Sequence, residues 1–160
     1  MQLDAMYQEI ILDHYRNPHN KGLRDPHNGE AHHINPTCGD EVTLRVTLTP
    51  ADGSVIDGSA TVSDVSYDSM GCSISQASTS VLTDLLIGKT VDQGMRIAEE
   101  FNELMQSRGQ GEPDEDVLED AVAFAGVSKY PARIKCALLA WMAWKDATAQ
   151  SLQNEKEGAS

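Results

Sequence analysis

A chain of 160 residues can bury one hydrophobic core and is too short for two full domains. Apolar residues make up 40% of it and charged residues 23%, close to the globular average, so the chain should fold without disulfide bonds. A formal charge of −13 excludes a surface that binds nucleic-acid phosphates, and the lack of a long apolar run excludes a membrane span.

A helix, a loop and a strand are predicted in the first part of the chain. From Leu3 to Tyr15 apolar residues recur every three or four positions, which is typical of an amphipathic helix, and Asn17-Pro18 ends it. Residues 18–40 are rich in Asn, Pro, Gly and His and are predicted to form a long loop. Between Val42 and Leu48 apolar and polar residues alternate, which predicts a half-buried strand.

Further strands are predicted before residue 70. The sequence PADG at 50–53 is typical of a turn, and the apolar residues at Val55-Ile56 and from Val62 to Tyr67 indicate one or two more strands. We therefore predict an antiparallel sheet of about three strands.

Two helices are predicted to follow the sheet. Small residues after Cys72 favour a helix that packs closely on the sheet, and Gly88 suits its C-terminal cap. The sequence TVDQ at 90–93 is a capping box, which begins a second helix that extends to about Met105.

The last third is predicted to hold two more helices. After a polar break, Pro113 marks the first turn of a short acidic helix, and we interpret Glu112–Asp120 as its solvated start rather than a docking site. A last helix begins near Pro131, with Trp141 and Trp144 as core residues.

These elements predict an α+β fold in which a small antiparallel three-stranded sheet has helices packed on one side. Residues 1–150 should form a single domain, and residues 151–160 a disordered C-terminal tail.

The three cysteines are an odd number, and the start MQLDAMYQEI does not have the pattern of a signal peptide. A reducing cytoplasm is therefore the expected compartment.

Each cysteine lies at the edge of a predicted element, and Gly39 and Gly71 beside two of them would let the backbone turn sharply. A single cysteine is more often a small buried apolar residue than a ligand, so its position alone does not show that it binds a metal.

Four side chains could together hold one zinc ion, since zinc normally takes four thiolate, imidazole or carboxylate ligands: Cys38, Asp40, Cys72 and Cys136. Cys38 and Asp40 can point at one ion from a loop hinged at Gly39, whereas periodicity does not bring in the other two. Purely structural zinc sites more often have only Cys and His ligands. The carboxylate therefore favours a site at which a ligand or substrate is exchanged.

Charged and ring side chains near these donors have two interpretations each. Arg133 and Lys135 sit beside the last cysteine and either balance an anionic site or are ordinary surface charges on a helix. The five histidines could be alternative ligands, but we expect them to be solvent-exposed: His14, His19, His27, His32 and His33.

Three segments together resemble the U-type iron–sulfur cluster assembly proteins, the IscU and SufU family: NPTCGDEV, GCSISQASTSVLTDLLIGKT and YPARIKCALLAWMAW. The similarity runs from the first helix to about Trp144. The chain is more similar to the SufU branch, because Lys135 stands where IscU proteins have a histidine before the third cysteine, and because of an extra stretch around 107–128.

The resemblance implies a SufE/IscU-like fold and a zinc-bound protein that accepts sulfur from a SufS-type cysteine desulfurase, with other SUF components as further partners. Cys38 would accept the persulfide sulfur and ligate zinc, while Asp40, Cys72 and Cys136 complete the ligand set. Arg133 would support the site or the contact with the desulfurase.

Two other functions use the same four residues. One is a scaffold on which a [2Fe–2S] cluster is assembled and handed to apo-proteins. The other is a structural zinc domain without chemistry.

Overall fold

The computed structural model describes residues 5–37, 39–52 and 56–158, and for 154–158 the backbone alone. Within those residues it has three strands, five α-helices and one long 3₁₀ segment. In chain order the elements are α1 (Ala5–Arg16), β1 (Gly29–Asn35), β2 (Asp40–Thr49), β3 (Thr61–Met70), α2 (Ser73–Leu86), α3 (Val91–Gln106), α4 (Glu115–Leu118), the 3₁₀ segment (Glu119–Lys129) and α5 (Pro131–Gly158).

The three strands form one antiparallel sheet with β2 in the middle. The alternation along β2 buries Val42, Leu44, Val46 and Leu48 on one face. Helix α5 packs against β1 and β2, and α2 packs beside β3. The predicted α+β class, with a three-stranded antiparallel sheet and helices on one side, is confirmed.

The first strand was not predicted, because residues 18–40 read as a loop. β1 pairs with β2 from Gly29 opposite Val46 to Asn35 opposite Asp40. Its inward residues Gly29 and Ala31 are small since α5 lies very close: a Cβ on Gly29 would collide with the carbonyl oxygen of Ala147. The strand's large apolar residue, Ile34, is exposed, so the sequence shows no alternation of buried apolar and exposed polar residues.

The strand predicted at Val55-Ile56 is not present at Ile56. Val55 lies outside the described residues, and Ile56 is not in a strand. The third strand is β3, which continues to Met70 as predicted.

The helix signals were accurate. The capping box of α3 is formed in both directions between Thr90 and Gln93, at 3.1 and 2.9 Å. Gly88 follows the end of α2 with φ of +95°. Trp141 and Trp144 are buried as predicted, and the Trp141 ring stacks on Phe101 with centroids 4.4 Å apart.

Small residues of α2 were predicted to pack closely on the sheet, and the structure shows that they also allow close packing on α5. The Ser78 hydroxyl donates to the Ala137 carbonyl at 2.7 Å and accepts the indole N–H of Trp141 at 2.9 Å. The polar side chains of this helix are therefore used in packing.

The acidic stretch forms α4 and the start of the 3₁₀ segment. Asp114 caps α4 by accepting the N–H of Asp116 at 3.0 Å, so Pro113 precedes the cap rather than standing in the first turn.

The last helix, α5, continues to Gly158, over most of the stretch for which we predicted a disordered tail. The single domain remains a prediction. No helix in the described part of the chain combines the length and apolar composition needed to cross a membrane.

Candidate metal centre

The turn between β1 and β2 sets the position of Asp40. Asn35 closes it twice: its carbonyl accepts the N–H of Gly39 at 2.9 Å, and its side chain accepts that of Thr37 at 3.2 Å. Gly39 has φ of +71°, a conformation that glycine adopts without strain. Cys38, the predicted sulfur acceptor and metal ligand, lies outside the described residues.

Asp40 is the first residue of β2 and is completely buried. One carboxylate oxygen accepts the backbone N–H of Cys72 at 2.9 Å, and the other lies 3.8 Å from the Cys72 sulfur. Cys72 is the N-cap residue of α2, so the carboxylate sits at the positive end of the helix dipole. This arrangement compensates part of the cost of burying a charge.

Gly71 makes this approach possible. Its φ is +142°, and a Cβ added there would lie 2.8 Å from Cγ and 3.0 Å from Cα of Asp40. The sequence predicted a sharp backbone turn at Gly71, and the structure shows that the glycine also leaves room for the Asp40 carboxyl.

Cys136 is the sixth residue of α5 and is completely buried. Its thiol donates to the Ala132 carbonyl at 3.6 Å, inside the first turns of the helix. Arg133 and Lys135 on the same turns are exposed and form no ion pair within the described part of the chain.

The structure brings together three of the four predicted donors. One carboxylate oxygen of Asp40 and the sulfurs of Cys72 and Cys136 lie within 4.8 Å of one another. Zinc bonds of about 2.3 Å to sulfur and 2.0 Å to oxygen place tetrahedral ligands about 3.5–3.8 Å apart. The donors therefore fit zinc with small side-chain adjustments.

Exposed apolar side chains flank the centre. Ile34 pairs with Glu41, which pairs with Met70, in the row of the sheet next to Asp40. Ile34 is 57% exposed and Met70 68%. Because successive strand residues point to opposite faces, both side chains lie on the face opposite the buried Asp40, with Glu41 between them.

The expectation of solvent-exposed histidines is wrong for His14, which is 3% exposed. It bonds to Ser80 at 2.8 Å and to Asp120 at 3.0 Å. The signal for its burial was available, because His14 continues the apolar spacing of Ile10 and Ile11 on α1.

The histidine pair near Cys38 takes no part in the metal centre. His32 and His33 lie on β1 and pair with Glu41 and Asp146, each at 3.1 Å. Hydrogen bonding to His33 is the main cause that lowers the pKa of the Asp146 carboxyl.

Comparison with known proteins gives consistent matches. The sequence profile of the NifU-like N terminal domain matches residues 6–137. The zinc-dependent sulfurtransferase SufU of Bacillus subtilis is 39% identical over 150 residues, which cover 92% of each chain. The scaffold protein IscU of Streptococcus pyogenes is 38% identical over 165 residues, covering 98% of this chain and 96% of the relative.

A solved structure is similar in fold over nearly the same range. It is described as a candidate iron–sulfur cluster assembly scaffold for the SUF system, from Fervidobacterium islandicum. It superimposes with a TM-score of 0.71 at 33% identity, covering 88% of this chain and 94% of that one.

Proposed function

This chain belongs to the family of NifU-like N-terminal domains, within the SufU and IscU group of iron–sulfur cluster assembly proteins, and on that premise we propose that it accepts persulfide sulfur from a SufS-type cysteine desulfurase on Cys38. Zinc held by Asp40, Cys72 and Cys136 would supply the positive charge that keeps the Cys38 thiol deprotonated. We place this reaction in the cytoplasm, where free thiols persist.

The proposal rests on the group of three candidate metal-binding side chains, Asp40, Cys72 and Cys136. Asp40, Cys72 and Cys136 come from three separate elements and place their donor atoms within 4.8 Å of one another. With Cys38 as fourth ligand, three thiolates and a carboxylate around a divalent ion leave a formal charge of about −2. The exposed Arg133 and Lys135 on α5 are available to balance that charge or to meet the desulfurase.

The transfer step needs a Cys38 thiolate that can move away from the zinc ion. The sulfur of Cys38 attacks the outer sulfur of the desulfurase persulfide, a new sulfur–sulfur bond forms on Cys38, and the electron pair of the broken bond leaves with the desulfurase cysteine. Gly39 supports the necessary movement, because a Cβ added there meets nothing within 4 Å and its φ of +71° is accessible to glycine. Asp40 has no such freedom, since Cys72 and Gly71 hold it from two sides.

The surroundings of the centre support a protein partner. Ile34 and Met70 expose apolar surface in the row of the sheet next to Asp40. With Glu41 between them, these side chains offer both apolar and charged contacts to a partner. A desulfurase bound there would bring its persulfide to the turn that carries Cys38.

The test is the stimulation of desulfurase turnover by Cys38→Ser. We expect the variant to fold, to bind to the desulfurase and to lose the stimulation, because it has no sulfur nucleophile. Thr37→Ser, a change in the same turn, is the matched control and should stimulate like the wild type. Full stimulation by Cys38→Ser would refute the role of sulfur acceptor.

A second candidate function is a scaffold for a [2Fe–2S] cluster on the same residues. It is favoured by the Streptococcus pyogenes relative, which is named as a scaffold and is almost as similar as the sulfurtransferase. Metal analysis after purification without oxygen separates the two. Stoichiometric zinc supports sulfur transfer, whereas iron with acid-labile sulfide supports the scaffold.

A further inference from the structure

A second group of metal-ligating side chains lies where α1, α2 and the loop after α1 meet. His14 belongs to the last turn of α1, His19 to the loop, and Asp84 to α2. One donor atom from each of the three lies within 4.8 Å of the other two. Imidazole nitrogen and carboxylate oxygen are ligands that zinc accepts.

The loop that carries His19 is fixed to α2 through its backbone. The N–H of His19 donates to the Ser80 hydroxyl at 2.9 Å, and its carbonyl accepts from the Thr83 hydroxyl at 3.4 Å. The next residue, Asn20, donates from its side chain to Thr83 at 3.0 Å. The His19 ring is therefore held beside Asp84, with its Nδ1 atom 2.5 Å from the carboxylate. A metal site needs ligands that are placed in advance in this way.

The His14 ring is oriented by a carboxylate outside the ligand group. Its Nε2 atom lies 3.0 Å from Asp120, which the 3₁₀ segment contributes, and its Nδ1 atom lies 2.8 Å from Ser80. Histidines that bind metals in proteins usually donate their other ring N–H to a carboxylate, which fixes the tautomer. Asp120 stands in this relation to the buried His14, and the ion would replace the Ser80 hydroxyl at Nδ1.

The two rings also face each other. Their centroids are 4.8 Å apart with an angle of 51° between the planes. The carboxylates of Asp84 and Asp120 beside the rings carry a formal charge of −2, which one divalent cation would neutralise.

We propose that His14, His19 and Asp84 form a second metal site, for zinc or a divalent cation of the same ligand preference, with Asp120 as the hydrogen-bond partner of His14. Along α2, Asp84 lies twelve residues after Cys72, about 18 Å at 1.5 Å per residue. The site shares no ligand with the cysteine centre and does not depend on the proposed sulfur transfer. The bound ion joins the 3₁₀ segment, through Asp120, to α1 and α2.

The experiment follows the imidazole resonances of the five histidines by NMR. Zinc is added stepwise to metal-free full-length protein, and the imidazole resonances are followed from the first addition. We expect the resonances of His14 and His19 to move until a second equivalent is bound, while those of His27, His32 and His33 stay. Because the readout is the imidazole ring, failure of the cysteine centre to bind zinc leaves the test valid.

Three variants sharpen the test. His19→Gln removes an exposed ligand and should abolish the second equivalent, while Asp120→Asn should weaken it by roughly 10–100-fold. His33→Gln, from the His33–Asp146 pair at 3.1 Å, is the matched control and should bind like the wild type. If the resonances of His14 and His19 do not move, or the second equivalent survives in His19→Gln as diffuse binding to the acidic surface, the proposal is overturned.

Discussion

Replacing Gly71 by alanine tests whether the position of the Asp40 carboxylate determines metal affinity. An added Cβ would lie 2.8 Å from Cγ and 3.0 Å from Cα of Asp40. Non-bonded carbon atoms pack at about 3.5–4.0 Å, so the carboxyl carbon must retreat by about 0.7 Å or more. Functional sites tolerate misplacement of about 0.5 Å. We therefore expect Asp40 to leave its place among the ligands.

Gly88→Ala is the matched control at the other end of α2. Gly88 has φ of +95°, and an added Cβ there meets nothing within 4 Å. Each variant costs roughly 1–3 kcal/mol of backbone strain. In a chain of this size the free energy of unfolding converts to about 2–4 °C of Tm per kcal/mol. Only Gly71→Ala also displaces a ligand, so it alone should bind zinc about tenfold more weakly or worse, a loss of about 1.4 kcal/mol.

Zinc affinity is measured by competition with a chromogenic chelator, and Tm by calorimetry of the metal-free proteins. In the metal-free form Gly71→Ala should lose at least as much Tm as Gly88→Ala, because its Cβ also overlaps Asp40, and only Gly71→Ala should lose zinc affinity. Wild-type affinity in Gly71→Ala would refute the reasoning, and so would an equal loss of affinity in Gly88→Ala.

Three other predictions concern the same region and its support. Asp40→Asn keeps an oxygen for the Cys72 N–H but removes the charge, so zinc affinity measured by chelator competition should fall at least about tenfold; an unchanged affinity contradicts Asp40 as a ligand. Zinc binding should release about three protons, because Cys38, Cys72 and Cys136 would each bind the metal as a thiolate. Calorimetry in buffers of different ionisation enthalpy measures this release, and zero release contradicts thiolate ligation. Burial raises the pKa of Tyr67 to about 12. The unfolded chain loses this proton first, at its ordinary pKa of about 10, so the free energy of unfolding should fall as pH rises from about 10 to about 12. Urea denaturation checks this, and a fall of the same size in Tyr67→Phe would count against it.

The parts of the fold that the sequence predicted are those with a local physical cause. The alternation along β2 follows from one buried face, and the capping box of α3 needs only Thr90 and Gln93. β1 was missed because what identifies it is not local. Its inward Gly29 is small since Ala147 of α5 approaches it, and that residue lies more than a hundred positions away.

The same distinction applies to the sites. Asp40, Cys72 and Cys136 could be chosen as ligands from residue type and from the family resemblance, although only the fold brings their donor atoms together. The burial of His14 depends on Ser80 and Asp120, which are 66 and 106 residues away. No local pattern around His14 indicates those two partners.

The three donors are far apart along the chain, which makes metal binding depend on complete folding. Asp40 comes from a hairpin, Cys72 from a helix start, and Cys136 from a helix that packs across the sheet. Their donor atoms meet only when all three elements are docked, so a partly folded chain has single thiols in place of the centre. Metal binding therefore depends on a complete fold, and under the proposed function only completely folded molecules would accept sulfur.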